Sequence, residues 1–277
     1  MGREIGDLQN ALEHEDELKR RLEGKRPAVF LDYDGVLTPI VDRPEDAVIS
    51  EGMQRVVRDL AERCVVCVVS GRDRKVVQRL MGLDNLIVAG SHGFDIWSPN
   101  EGRIQHEVGS EFADDLEEAK RRVREEVEPI EGSLVEEKAA SVAVHYRLVS
   151  EDERPKIKEV VDALLAEHPD ALKVTPGKMV YEIQPKVDWN KGKAVLYLIE
   201  ALELDRDEVL PLYLGDDVTD EDAFRALNEA PAGGEATGIG IFVGRADDPE
   251  VGGRDTAADY ALASVDEVEK FLDALAR

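Results

Sequence analysis

The chain of 277 residues has two cysteines, few aromatic residues (5%) and a shortage of positive charge. Cysteine says little: Cys64 and Cys67 form a C-x-x-C inside an apolar β-branched run that reads as a strand, where positions i and i+3 face opposite ways. A redox motif needs a helix N-terminus and a zinc site needs a second pair, so both read as buried thiols in a reducing cytoplasm. Lys and Arg number 35 against 61 Asp and Glu, a formal net charge of −26. A surface that acidic repels phosphate backbones and anionic lipid, which argues against nucleic acid or a membrane as partner. No apolar run reaches the roughly 18–20 residues a membrane span needs. The first 27 residues are charged throughout and do not read as a secretory signal.

What is present is material for a packed core. Hydrophobic residues make up 43% of the chain, and its length suits one large or two modest domains. Ile5, Leu8, Leu12, Leu18 and Leu22 fall at helical spacing and predict an amphipathic helix over 4–24. From residue 28 onward, short apolar runs (28–34, 64–70, 86–93) alternate with helical patterns (51–62, 73–81), which predicts a parallel sheet with helices on both faces. Between 111 and 185 the order becomes α-β-β-α-β-β, the mark of an α+β module with one sheet. The first pattern resumes at about 190, with helices at 191–203, 220–228 and 265–275 and strands at 209–216 and 238–244. The expected organisation is an N-terminal helix (1–26), a core in two parts (27–109 and 186–277) and an inserted module (110–185).

Four groups of polar residues stand at strand ends, where open α/β sheets place ligands. Asp32 and Asp34 lie two apart on an extended segment and project the same way, so burial together requires a cation or a shared proton. Ser70-Gly71-Arg72 offers a hydroxyl and backbone N–H groups at a helix start, which is either a phosphate cradle or an ordinary cap. Lys191 opens another helix, where a cation opposes the macrodipole by about 0.3–1 kcal/mol unless something anionic lies near. Asp216, Asp217, Asp220, Glu221 and Asp222 crowd the end of an apolar strand, as a divalent-metal site or a solvated acidic loop.

Acid pair, hydroxyl, lysine and acid cluster, in that order on successive strand ends, resemble the haloacid dehalogenase (HAD) superfamily of phosphatases. The finer resemblance is to trehalose-6-phosphate phosphatases, through DYDG-x-L-x-PI (32–40), VVSGR (68–72), GSHG (90–93), VE-x-K-x-x-SVAVHYR (135–147), GK-x-V-x-E-x-x-P (177–185), KGKA (191–194) and GDDVTDEDAF (215–224). Val36 stands where that family usually has Thr, which removes a hydroxyl from the first loop and leaves both aspartates. The resemblance implies an α/β fold, a HAD-like Rossmannoid parallel-sheet core with an inserted α+β type 2 cap domain.

It also implies hydrolysis of trehalose 6-phosphate, in trehalose biosynthesis, through an aspartyl-phosphate intermediate. Asp32 is then the nucleophile and Asp34 the acid and base, with Ser70, the Gly71 N–H and Lys191 on the phosphoryl oxygens. Mg²⁺ would be held by Asp32, the Asp34 backbone carbonyl and Asp216, with Asp220 a direct or supporting ligand. Arg72 would orient Asp32 or approach the substrate, and Glu136, Lys138, Arg147, Lys178 and Glu182 would contact the sugar. His92 and His145 read as buried histidines with backbone partners. The alternatives are a phosphatase for sucrose-phosphate or glucosylglycerol-phosphate, or a catalytically silent sugar-phosphate sensor. A small-molecule sugar phosphate is the expected partner, and a cytoplasmic monomer the expected state.

Self-repulsion at a net charge of −26 is relieved by screening ions. The melting midpoint is expected to be higher in molar KCl than in low salt; a thermal scan showing an unchanged or lower midpoint would contradict this.

Overall fold

The computed structural model describes residues 3–41, 43–99, 110–177, 179–229, 238–248, 251 and 253–277. Along the chain come β1 (Arg3–Glu4), β2 (Gln9–Asn10), α1 (Glu15–Leu22), β3 (Arg26–Leu31), α2 (Glu51–Ala61), β4 (Val65–Val69), α3 (Arg74–Met81), β5 (Ile87–Gly90) and β6 (Asp95–Trp97). Next are α4 (Ala113–Glu126), β7 (Leu134–Glu137), β8 (Val142–His145), α5 (Arg154–Glu167), β9 (Leu172–Gly177) and β10 (Val180–Pro185). The last stretch holds α6 (Lys191–Ala201), β11 (Val209–Gly215), α7 (Glu221–Asn228), β12 (Ile239–Val243), β13 (Asp255–Thr256), β14 (Tyr260–Leu262) and α8 (Val265–Leu275). The chain divides into two compact units, 1–104 with 190–277, and 105–189.

The first unit is built on an eight-stranded sheet in the order β2-β14-β12-β11-β3-β4-β5-β6. Every neighbouring pair is parallel except β5 and β6. Strands covered on both faces read as unbroken apolar runs, and β11 and β12 are buried at every position. The helices obey their caps. Ser50 accepts the Met53 N–H at the start of α2, and Met53, Val56, Val57 and Leu60 then fall on one buried stripe. Asn190 caps α6 by accepting the Lys193 N–H at 2.9 Å. Because β3 lies between β4 and β11, the loops after these three strands emerge side by side at one sheet end.

The N-terminal segment differs from the single helix expected over 4–24. Only Glu15–Leu22 is α-helical; before it, Gln9 and Asn10 add a strand beside Tyr260 and Ala261. Asn10 donates to Glu267 and accepts the Leu12 N–H, both at 2.9 Å, so its side chain competes with a helical backbone. The apolar spacing was real but served two elements: Ile5 and Leu18 are both buried. Cys64 and Cys67 are free thiols, and burial pushes Cys64 up to about 11, far from a reactive thiolate.

The second unit has the expected α-β-β-α-β-β order, and its sheet runs β7-β8-β10-β9 with all pairs antiparallel. Val142, Val144 and Ile183 turn one face of this sheet onto Ala119, Val123, Ile157 and Val161 of α4 and α5. Among the described residues, no helix of either unit is long and apolar enough to cross a membrane.

Phe224 of α7 is fully buried and meets the Tyr213 ring edge-on at 5.7 Å. Phe224→Ala is expected to destabilise the protein by about 3–5 kcal/mol, read as a lowered urea midpoint. A loss under about 1 kcal/mol would mean the site collapses around the cavity.

Candidate active site

Asp32 is the first residue beyond β3, and its N–H donates to the Leu214 carbonyl at 2.9 Å, which ties it to the neighbouring β11. Its carboxylate is nearly inaccessible and held on both oxygens. Oδ1 accepts the Tyr33 N–H at 2.7 Å and Oδ2 accepts Lys191 Nζ at 2.7 Å. Lys191 opens α6 with its side chain only 3% exposed, and it also donates to Asp220 Oδ1 at 2.7 Å. The anions that a lysine at a helix N-terminus calls for are therefore Asp32 and Asp220. Burial alone would lower the Lys191 pKa; the charges of Asp32 and Asp220 overcome that and hold it above its ordinary value.

Asp220 is fully buried, and its carboxylate accepts four hydrogen bonds. Oδ1 takes Lys191 and the Tyr213 hydroxyl (2.6 Å); Oδ2 takes the N–H groups of Asp216 (3.1 Å) and Asp217 (2.9 Å). It thereby fixes the loop that carries Asp216. The other acids of that run do local work. Asp217 caps the turn at 218–220, Glu221 accepts the Ala257 N–H at 2.8 Å, and Asp222 pairs with Arg225. Tyr213 was not legible as a site residue, because a Tyr inside an apolar strand reads as core.

Asp32, Asp216 and Asp220 each bring one carboxylate oxygen within 4.8 Å of the others. Three carboxylates against one ammonium leave a net charge of −2 in a largely buried space. Burial and then the charge of Asp220 push Asp32 up to about 7, against the pull of Lys191 and the Tyr33 N–H. Burial, then Asp32 and Asp220, push Asp216 up to about 8. A cluster of hard oxygen donors with two uncompensated charges fits a divalent cation. Space agrees: a Cβ on Gly35 would lie 2.1 Å from Asp216 Oδ2, so only glycine, here at φ +72°, lets the first loop approach that carboxylate.

Asp34 does not turn its carboxylate into this cluster. Arg72 grips it with two hydrogen bonds of 2.6 Å, donates a third to the Pro44 carbonyl at 2.6 Å, and lies over the Tyr33 ring. Of the roles expected for Arg72, orienting Asp32 is not what these bonds do: the aspartate it holds is Asp34. Ser70 follows β4, is 1% exposed, and its hydroxyl oxygen accepts the Arg72 N–H at 3.1 Å, leaving the hydroxyl proton to donate elsewhere.

The second unit has its own polar cluster, described by itself. Glu136, Ala143, Glu182 and Thr175 are successive partners across β7, β8, β10 and β9, so they share one face, opposite the helices. Glu182 Oε1 accepts both Lys138 Nζ (3.0 Å) and Ser141 Oγ (2.8 Å), and His145 Nε2 lies 3.2 Å from Glu136 Oε2. His145 is partly exposed beside a carboxylate, which corrects the expectation of a buried ring with a backbone partner. Arg147 is exposed just beyond β8, and Lys178 lies outside the described residues.

A carboxyl whose pKa is higher folded than unfolded favours the folded state below its unfolded value, 3.8 here. That contribution is gone once pH has passed the folded values of about 7 and about 8. In chelator, the melting midpoint is therefore expected to fall as pH rises from about 5 to about 8.5, and to fall less in Asp216→Asn. A divalent cation should raise the midpoint most at the alkaline end. Equal slopes for wild type and variant would remove Asp216 from this account.

Comparisons with known proteins agree with the arrangement. The trehalose-phosphatase family model matches residues 30–266. The chain is 39% identical over 280 residues to a trehalose 6-phosphate phosphatase of Zea mays, covering 96% of this chain and 74% of that one. It is 40% identical over 275 residues to an uncharacterized glycosyl hydrolase of Mycobacterium tuberculosis, covering 98% of this chain but only 20% of that protein's length. The C-terminal domain of Candida albicans trehalose-6-phosphate phosphatase superimposes with a TM-score of 0.71 at 26% identity, covering 98% of this chain and 99% of that one. With the match spanning most of its length and the acid cluster at the sheet's end, the chain belongs to the trehalose-phosphatase family.

Proposed function

We propose that the protein hydrolyses trehalose 6-phosphate to trehalose and phosphate with the help of Mg²⁺. The observation that carries the reading is the buried Asp32–Lys191–Asp220 array with Asp216 beside it. Family membership and the named relatives supply the substrate. Free, unreactive thiols at Cys64 and Cys67 suit a reducing compartment such as the cytoplasm.

In the first step an Asp32 carboxylate oxygen attacks phosphorus, the bond from phosphorus to the sugar oxygen breaks, and Asp34, which must first leave its pairing with Arg72 and carry a proton, gives that proton to the sugar oxygen. In the second, Asp34 takes a proton from water as the water oxygen attacks the aspartyl-phosphate; the bond to Asp32 breaks and phosphate leaves. Lys191 and the Asp32 bonds it shares hold the nucleophile and meet the phosphoryl oxygens, while Ser70 and the Gly71 N–H donate to the same group. Asp32 and Asp216, with the Asp34 carbonyl, would hold the cation, and Asp220, its four acceptor sites engaged, would support them. When bound, Mg²⁺ neutralises charge on the carboxylates and on the transferring group. This work is electrostatic pre-organisation, which is most of what phosphoryl transfer requires.

Glu136, Lys138, Arg147, Lys178 and Glu182 are assigned to the sugar. A face bearing paired charges suits a polyol, since charge-assisted hydrogen bonds discriminate strongly between hydroxyl patterns.

The test is phosphate release from a panel of sugar phosphates, with and without EDTA; turnover should be highest on trehalose 6-phosphate and vanish with chelation. Glu182→Ala should lose about 10- to 100-fold in kcat/KM on trehalose 6-phosphate yet retain activity on p-nitrophenyl phosphate. Lys191→Ala should damage both. Equal losses on the two substrates in Glu182→Ala would move specificity elsewhere, and full turnover in EDTA would sink the mechanism.

A further inference from the structure

The turn after β5 is strained, and what it touches gives the strain a use. Ser91 and His92 are consecutive non-glycine residues in the left-handed region, at φ +50° and +56°. Such conformations are costly for residues with a side chain and persist only where the surroundings over-determine them. The Ser91 hydroxyl does not offset this locally: it is buried and has no hydrogen-bond partner among the described residues. The backbone of the turn is tied instead to the loop after β4. The Ser91 N–H donates to the Arg72 carbonyl at 2.7 Å and the His92 N–H to the Ser70 carbonyl at 2.8 Å. Ser70, Gly71 and Arg72 are thus clamped at both ends by the strained pair.

The imidazole lies against Gly71, the residue between the two so tied. A Cβ placed on Gly71 would lie 2.7 Å from His92 Cε1 and 2.9 Å from Nε2, so the ring lies directly against the glycine. The same turn packs against α6, whose first residue is Lys191. The turn therefore contacts two of the elements assigned to the phosphoryl group, the Ser70–Gly71 loop and the lysine helix. A half-buried ring in that position limits how far Gly71 can retreat from a bound oxyanion.

We infer that His92 is a positioning residue for phosphoryl binding: its ring, held by the strained Ser91–His92 turn, buttresses Gly71 and fixes the Ser70–Arg72 loop. The inference rests on the phosphatase reading and names a residue to which that reading gives no role. Because the ring acts through Gly71, its loss should be felt by every substrate that shares a phosphoryl group, whatever the leaving group.

The experiment uses His92→Asn in the full chain, since Asn tolerates the left-handed region and keeps the turn while removing the ring. Orthovanadate, a mimic of the phosphoryl-transfer transition state, is the probe. Its inhibition constant is expected to rise about 10-fold, with a matching fall in kcat/KM on both trehalose 6-phosphate and p-nitrophenyl phosphate and little change in melting midpoint. Gly71→Ala should bind vanadate poorly, and adding His92→Ala should restore part of that binding by making room for the new methyl group. An unchanged vanadate constant in His92→Asn would overturn the inference. So would a loss confined to trehalose 6-phosphate, which would make His92 a sugar contact. A wild-type enzyme indifferent to vanadate would instead overturn the phosphatase reading, independently of His92.

Discussion

Everything at the sheet's end depends on one buried cation placed between two buried anions. Lys191 reaches Asp32 on one side and Asp220 on the other, and none of the three has appreciable exposure. Removing a single member of such an array strands charge in a low-dielectric interior. The array also joins elements far apart in sequence: the end of β3, the start of α6 and the turn after β11. Sites on rigid elements hold their geometry better than sites on loops, and here both Asp32 and Lys191 are anchored by regular structure.

The roles within the acid cluster follow from hydrogen-bond capacity. Asp220 is consumed by four donors, so it acts as a scaffold for its neighbours. Asp216 and Asp32 carry charge that one lysine does not balance, and burial with the neighbouring acids raises both of their pKa values. Two aspartates four residues apart in one loop thus have opposite natures: one is saturated by four donors of the protein, the other adds charge to an acid cluster.

Much of this was legible in the sequence because the chemistry demands certain residue types at strand ends. Asp32, Ser70, Lys191 and Asp216 were found that way, and the order of helices and strands followed from apolar periodicity. What was not legible involves partners from different loops. Nothing in the spacing of Asp34 and Arg72 announces a bidentate pair across 38 positions. Tyr213 is indistinguishable from core until its hydroxyl is seen on Asp220, and the contact of His92 with Gly71 arises only when β4 and β5 lie side by side. The N-terminal segment failed for a related reason. Periodicity detects which side chains are apolar, but not that a sheet edge offers the backbone better partners than a helix does.

That same edge has a consequence for how copies of the protein meet. An open sheet exposes unpaired N–H and C=O groups at its two outer strands, and long flat edges recruit other chains. Among the described residues the outermost strands are β2, two residues long, and β6, three residues long and reversed in direction. Neither offers a run of free backbone long enough to template a further strand. With a net charge of −26 added, such short edges disfavour edge-to-edge growth, although the sheet's interior is made of the β-branched, uncharged runs most prone to it.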